Sequence, residues 1–295
     1  MDHDPVPPTT SFRHILSNPA FYRLGFSVAN RIPAGILYSV ADLVGDASLF
    51  RYRARGQSVR RNLAKVFPGM PGEELSRLTR KVFRNYARYL VDYGRFHGMS
   101  PEKIDRTIPE IEGMENIRVI LRSPGGTILV TGHIGNWELG ALYFVRMGMK
   151  VNVVTIPDDA PQIHAIRENY RSRHDIRTIV VDGSPFTALE IIAALRRGEI
   201  VALLVDRPVT VNGVLADFFG KPHSFPRGPF ALSRATGAMI LPAFMVREGN
   251  AYRGIVEPPF VADGDDDEPY AGLLGQSLER IIRRFPDQWY NFVQI

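Results

Sequence analysis

The sequence predicts an α/β fold: a mostly parallel central sheet flanked by helices, with a helical N-terminal region. Three observations carry this reading. From Thr10 to His97 the apolar residues recur at helical spacing. From Ile108 onward short apolar runs alternate with amphipathic stretches. Those stretches are long enough to be helical crossovers between parallel strands, which leaves the sheet covered on both faces. At 295 residues, 45% hydrophobic and 23% charged, the chain can bury a full core. It reads as one unit over 1–295, with a helical region at 1–100 and an α/β core at 101–295.

Taken in order, the opening "MDHDPVPPTTSFRHIL" is acidic and proline-rich where a cleavable signal would be basic and then apolar. The segment 21–44, "FYRLGFSVANRIPAGILYSVADLV", is interrupted by Arg23, Asn30, Arg31, Pro33 and Asp42. Its uncharged stretch is far shorter than the roughly 20 apolar residues that a spanning helix needs. Two readings stand side by side: a helix lying in a membrane interface, or an ordinary core helix pair broken at Pro33. Two helices follow, one carrying Leu63, Val66 and Phe67, the other Leu75, Leu78, Val82, Phe83, Tyr86, Tyr89 and Leu90. Pro68, Gly69, Pro71 and Gly72 separate them. Strands are expected at 127–132, 151–156, 176–182, 200–206, 238–244 and 251–257, with helices near 138–147, 162–173, 186–197 and 228–236. The acidic "ADGDDDEP" at 262–269 reads as a solvated loop in preference to a cation-binding one.

The net charge is +5, and arginine carries most of the positive charge. Arg51, Arg53, Arg55, Arg60, Arg61 and Lys65 cluster, followed by Arg77, Arg80, Lys81, Arg84, Arg88 and Arg95. A basic front half suits an anionic partner or is simply a solvated face. No nucleic-acid recognition motif accompanies it. The chain has no cysteine, which excludes disulfides, thiolate metal sites and a cysteine nucleophile.

Chemistry concentrates in "LVTGHIGNWELGAL", 129–142. His133 follows a strand, Asn136 is a good N-cap residue, and Glu138 falls in the first turn of the next helix. This is the carboxyl end of a parallel strand, where ligand sites of open α/β sheets form. A neutral imidazole there can take a proton from a hydroxyl, and a carboxylate on its other nitrogen fixes the tautomer. Gly132 and Gly135 allow close backbone approach, and the helix start can hold an anion or oxyanion. On spacing alone, a capped helix with an incidental histidine and with Glu138 complementing the dipole is the preferred reading of the stretch. The spacing matches no familiar metal-ligand set, and no metal is expected.

The stretch "TGHIGNWELG" resembles the H-x-x-x-x-E signature of the bacterial lipid A biosynthesis lauroyl/myristoyl acyltransferase family, which includes phosphatidylinositol mannoside acyltransferases. The block 203–244, "LLVDRPVTVNGVLADFFGKPHSFPRGPFALSRATGAMILPAF", is similar to the family's second block. "RRNLAKVFPG" (60–69) and "RFPDQWYNF" (284–292) also have family counterparts. The resemblance spans nearly the whole chain, and it implies transfer of a fatty acyl chain from acyl carrier protein or coenzyme A to a hydroxyl of a membrane glycolipid. The thioester is a co-substrate, and no cofactor is implied. His133 then matches the base, Glu138 the acidic end of the motif, Asp206 the acidic residue of the second block and Arg171 an arginine implicated in activity. Which of Glu138 and Asp206 orients His133 stays open.

Beside these, Gly135 and Asn136 are candidates for substrate contact at the turn. Arg207, Lys221 and Arg227 are candidates for carrier or headgroup phosphates. Trp137, Phe218, Phe219 and Phe225 either line an acyl tunnel or fill the core. His97, His164, His174 and His223 have no suggestive acidic partner and read as incidental. The resemblance implies work at the cytoplasmic face of the bacterial inner membrane. This chain lacks the clearer hydrophobic anchor of many lipid A members, so a peripheral or monotopic mode on an anionic surface is expected. Two rivals remain: a non-catalytic lipid- or anion-binding protein, and a thioesterase.

Overall fold

The computed structural model describes residues 31–96, 100–156, 161–181, 184–209, 211 and 213–295. The first part of the 21–44 segment therefore lies outside the described residues. Three helices come first: α1 (Ala34–Arg51), α2 (Arg53–Val66) and α3 (Gly72–Phe96). The Pro68 to Gly72 break separates α2 from α3 as expected. After α4 (Pro101–Thr107), β1 (Glu110–Glu112) and α5 (Met114–Arg122), strands and helices alternate. They run β2 (Thr127–Thr131), α6 (Trp137–Arg146), β3 (Val151–Thr155), α7 (Pro161–Arg173), β4 (Ile176–Val180), α8 (Pro185–Arg196) and β5 (Ile200–Leu204). A hairpin of β6 (Gly213–Phe218) and β7 (Lys221–Pro226) precedes α9 (Gly228–Thr236), β8 (Met239–Glu248), β9 (Ala251–Val256) and α10 (Glu268–Arg284).

The main sheet has seven strands in the order β1-β9-β8-β2-β5-β3-β4. Every pairing is parallel except β8 with β9, which are antiparallel. The exception follows from length: only Gly249 and Asn250 join those strands, too few residues for a crossover but suited to a hairpin turn. The β6–β7 hairpin, short strand β1 and helices α4, α5 and α10 go beyond the sequence expectation.

β2 is buried at all five positions, as a central parallel strand must be. Ile128 and Val130 face a core built with Leu195 of α8, Phe230 of α9 and Leu274 and Leu278 of α10. Leu129 faces the opposite core, with Leu139, Leu142 and Phe144 of α6, Tyr170 of α7 and Tyr93 of α3. The sheet is thus covered on both faces.

Helix α1 turns small residues inward and leaves four large apolar ones exposed. Its inward side carries Ala41, Gly45 and Ser48, and a Cβ on Gly45 would sit 2.8 Å from the Arg84 backbone, so α1 and α3 lie almost backbone to backbone. Around that contact Asp42 accepts two bonds from Arg88 at 2.6 Å. Asp46 accepts from both Arg80 and Arg84 at 2.5 to 2.8 Å. Ile36, Val40, Leu43 and Phe50 recur every three, four or seven residues on the far side and are 52 to 71% exposed. Among the described residues no helix is long and apolar enough to cross a membrane.

The turn after β2 is anchored to β8. Gly135 has φ of +61° and forms a bridge with Met245, and a Cβ there would come within 2.0 Å of the Met245 carbonyl oxygen. Gly135→Ala is therefore expected to lower folding stability by at least about 2 kcal/mol, read as a drop in the thermal or denaturant midpoint.

Candidate active site

Parallel register brings the two halves of the site together. Thr131 at the end of β2 is opposite Leu204 at the end of β5, and the Val205 N–H continues the ladder onto the Thr131 carbonyl at 2.9 Å. Two residues beyond each partner stand His133 and Asp206. His133 Nδ1 lies 2.7 Å from Asp206 Oδ1. Trp289 Nε1–H donates to Asp206 Oδ2 at 2.8 Å, and the Asn291 amide donates to the Asp206 carbonyl at 3.2 Å. The C-terminal segment is held in turn by the Tyr290 N–H, which donates to the His133 carbonyl at 2.7 Å.

Asp206 is fully buried, yet its carboxyl stays ionised. Burial alone would raise its pKa, but the charge and hydrogen bond of His133, the Arg207 charge and the Trp289 bond bring it down to about 2. An ionised Asp206 acts as acceptor, so Nδ1 of His133 carries the proton and Nε2 keeps its lone pair. Burial and the adjacent Arg207 hold His133 below the ordinary value of 6.5, against the upward pull of Asp206. The ring keeps 16% of its side-chain surface exposed, with the Trp137 ring edge-on 5.5 Å away.

Glu138 has a different partner. Its carboxylate accepts from Arg171 Nη2 at 2.6 Å and Nε at 3.1 Å, and both side chains are buried between α6 and α7. Arg171 also reaches Thr178 Oγ1 of β4 at 3.4 Å. Of the two candidate acids, Asp206 contacts the imidazole and Glu138 clamps two helices at the edge of the site.

The turn residues are committed to structure. The Asn136 side chain accepts from the Leu139 N–H at 3.0 Å and so caps α6, its own N–H donates to the Met245 carbonyl at 2.7 Å, and the Gly135 N–H donates to the Gln288 carbonyl at 3.0 Å. Arg207 lies against Asp206, and burial lowers its pKa. Lys221 is exposed at the start of β7. Arg227 is drawn away by Asp267, 2.7 Å distant, which also holds Arg234. The acidic stretch at 262–269 is in this way partly structural.

An apolar cavity of about 50 Å³ lies between α6 and the sheet, lined by Leu129, Thr131, Trp137, Ala141, Ala202 and Met245 among others. Trp137 touches both this cavity and His133. Phe218, Phe219 and Phe225 do not line it. They pack on one another with ring centroids 4.5 and 5.5 Å apart, and two of them meet Trp289, so of the two readings these three fill the core. His223 is buried between Phe218 and Phe225, with its pKa lowered by burial to about 4. His174 packs on Tyr170. His97 and the His164 side chain lie outside the described residues.

Trp289 and Asn291, which complete the Asp206 shell, were missed as site residues, although they belong to the "RFPDQWYNF" block. Spacing carries no sign that a segment more than eighty residues downstream returns to this carboxylate.

Because Glu138 and Arg171 are buried together, removing one charge strands the other. Glu138→Gln is expected to cost about 3 to 5 kcal/mol in equilibrium unfolding, and adding Arg171→Met to it should recover part of the loss.

A model of the family described as bacterial lipid A biosynthesis acyltransferase matches residues 11–294. The chain is 24% identical over 271 residues to a phosphatidylinositol mannoside acyltransferase of Mycobacterium tuberculosis, covering 91% of this chain and 85% of that protein. It is 25% identical to the phosphatidylinositol mannoside acyltransferase of Mycolicibacterium smegmatis, over 90% of this chain and 88% of the relative. To the lipid A biosynthesis lauroyltransferase of Escherichia coli it is 27% identical over 264 residues, 88% and 84% of the two chains. With the match running almost end to end through the turn of His133, the strand of Asp206 and the segment of Trp289, this chain belongs to the bacterial lipid A biosynthesis acyltransferase family.

Proposed function

We propose that this acyltransferase moves a fatty acyl chain from a thioester carrier, acyl carrier protein or coenzyme A, onto a hydroxyl of a membrane glycolipid, with His133 as general base. The observation that carries the reading is the His133–Asp206–Trp289 chain, which leaves Nε2 as a basic nitrogen at the carboxyl end of β2. In the proposed step Nε2 accepts the acceptor's hydroxyl proton as its oxygen adds to the thioester carbonyl. The tetrahedral intermediate then expels the thiolate, which takes the proton back from the imidazolium; the products are an ester and a free carrier thiol. Asp206 stabilises the imidazolium. The first-turn amides of α6 and the Arg207 charge suit the developing oxyanion. Asn136 and Gly135 hold that helix start in place. Arg171 acts through Glu138, and Lys221 and Arg227 are left to outer contacts with carrier or headgroup.

The cavity under α6 supplies an apolar start for the acyl slot, and at about 50 Å³ it must widen to take a whole chain. Trp137 stands where such a chain would enter. The acceptor is a glycolipid of lipid A precursor or phosphatidylinositol mannoside type, the two kinds named among the relatives.

For such an acceptor the enzyme must meet a bilayer, and the exposed apolar stripe of α1 supports peripheral docking on an anionic inner-membrane surface. The exposed Ile36, Val40, Leu43 and Phe50 would insert at the interface, with Arg51 and Arg53 at the end of the stripe to meet headgroup phosphates.

His133→Ala is expected to reduce transfer about 10²- to 10⁴-fold with the fold retained. Asp206→Asn would present an amide N–H to Nδ1 and force the proton onto Nε2, with a loss of about 10³- to 10⁴-fold. Lipid mass spectrometry with and without the gene identifies acceptor and chain together. Free fatty acid released equally with and without acceptor would establish a thioesterase, and no turnover at all a binding protein. Because the His133 pKa lies below 6.5, the neutral base dominates at neutral pH, and the acid limb of kcat/KM should fall below pH 6.5. Asp206, depressed to about 2, contributes stability above its unfolded value near 3.8 that is lost as pH falls toward 2. Val40→Asp with Leu43→Asp should weaken sedimentation with anionic vesicles by at least about tenfold, leaving the thermal midpoint nearly unchanged.

A further inference from the structure

Asp92 of α3 is buried at 2% exposure and accepts hydrogen bonds from two phenols on different elements. Tyr38 of α1 donates to Oδ1 at 2.5 Å, and Tyr252 of β9 donates to Oδ2 at 2.6 Å. From this hub two routes lead to the turn that carries His133. The Tyr252 hydroxyl adjoins the side chain of Asn136, the cap of α6, whose buried amide nitrogen makes no hydrogen bond of regular geometry. Tyr252 is also the cross-strand partner of Arg247, whose guanidinium lies 4.2 Å over the Tyr38 ring. The Arg247 backbone is held on both sides by the Gln288 side chain at 2.8 Å, and the Gln288 carbonyl accepts the Gly135 N–H. Tyr38 therefore reaches Asn136 through its hydroxyl and Gly135 through its ring.

This arrangement is not explained by stability. Among the described residues this desolvated carboxylate makes no ion pair, and packed apolar groups of similar volume would hold α1 at least as well. Burial accordingly raises the Asp92 pKa, with the two phenols and the charges of Arg247 and Arg95 acting against it. What the polar hub adds is direction: two donors meeting one carboxylate fix where α1 sits relative to β9 and α6. Tyr38 projects from the side of α1 opposite to Ile36, Val40 and Leu43, so displacement of the apolar stripe is carried to it through a rigid helix.

We propose that Tyr38 and Asp92 are positioning residues that couple the seat of α1 on a lipid surface to the order of the His133 turn. The inference rests on the reading of α1 as the membrane-docking helix.

Hydrogen exchange by mass spectrometry over residues 132–139 tests it, with full-length protein free and bound to phosphatidylcholine–phosphatidylglycerol vesicles. Vesicles should slow exchange of this segment at least about fivefold in the wild type. Tyr38→Phe keeps the ring under Arg247 and loses only the hydroxyl. It should sediment with vesicles like the wild type, lose the exchange response, and lower kcat in vesicle assays with little change in KM for the soluble donor. Asp92→Asn should do the same, and where it fails to fold Tyr38→Phe decides alone. Exchange that ignores vesicles in the wild type, wild-type protein that does not sediment with them, or a response that survives Tyr38→Phe overturns the coupling. Failure of the acyl-transfer reading shows separately, as absence of acyl product while the exchange response persists.

Discussion

The structure depends on satisfying one carboxylate. Asp206 lies at the centre of the molecule with no exposed surface, and an unpaired charge there would be prohibitively expensive. Its needs are met from three directions: the His133 ring from the neighbouring strand's end, the Trp289 indole from the chain's last segment and the Asn291 amide on its own carbonyl. The same segment continues to α2. Asn62 donates to the carbonyls of Asn291 and Val293, and Lys65 bonds the carbonyl of Ile295. Phe292 packs edge-on to Phe83 of α3. The tail that orients the acid thereby fastens the N-terminal helices to the α/β core, and the two regions share one hydrophobic cluster.

A second buried charge pair divides the labour of the motif. Asn136 caps α6, and Glu138 in its first turn takes Arg171 from α7 and, through it, Thr178 from β4. A carboxylate at the positive end of a helix is already favoured by the helix dipole, and the arginine fork fixes its direction. Helix α6 is thereby held at one end by its cap and beside it by α7. Its first-turn amides stand in fixed positions relative to His133, the condition for stabilising charge without reorganisation. The acid five residues after the histidine thus positions the helix, and the acid on the adjacent strand sets the imidazole.

Much of this was readable in the sequence because it is local. Strand runs and crossover lengths determine a parallel sheet, and Asn136 announces the start of α6. The pairing of His133 with Asp206 was not local: it needs β2 beside β5 in the register Thr131 to Leu204, and spacing along the chain contains no strand order. The β6–β7 hairpin escaped for a different reason. Phe219 and Gly220 at its turn both have positive φ, a conformation that sequence rules assign to Asn-Gly rather than Phe-Gly. Tertiary contacts support the exception: the Phe219 N–H donates to Glu279 and its ring lies 5.1 Å under Arg283. The partners of the arginines were equally illegible, since Arg171 and Arg227 meet Glu138 and Asp267 from distant parts of the chain.

Helix α1 shows what composition conceals. Its apolar and acidic residues are intermixed along the sequence, and on the helix Asp42 and Asp46 turn to the arginines of α3 while Ile36, Val40, Leu43 and Phe50 turn outward. Forked ion pairs hold it to α3 beside a small apolar contact of Ala41 and Val44 with Ala87, and the four outward chains take no part in either. Apolar exposure recurs at the carboxyl end of the sheet, where Ile156 after β3 and Val181 after β4 are exposed on the same side as the His133 turn. On the proposed reading these two features solve one geometric problem. The imidazole is only 16% exposed, so an acceptor hydroxyl has to come to it, and a lipid lifted from a bilayer needs apolar contacts along the way. A helix that inserts by its aliphatic side, and a rim that is apolar where substrate arrives, shorten that path while the charged groups that orient the base remain out of water.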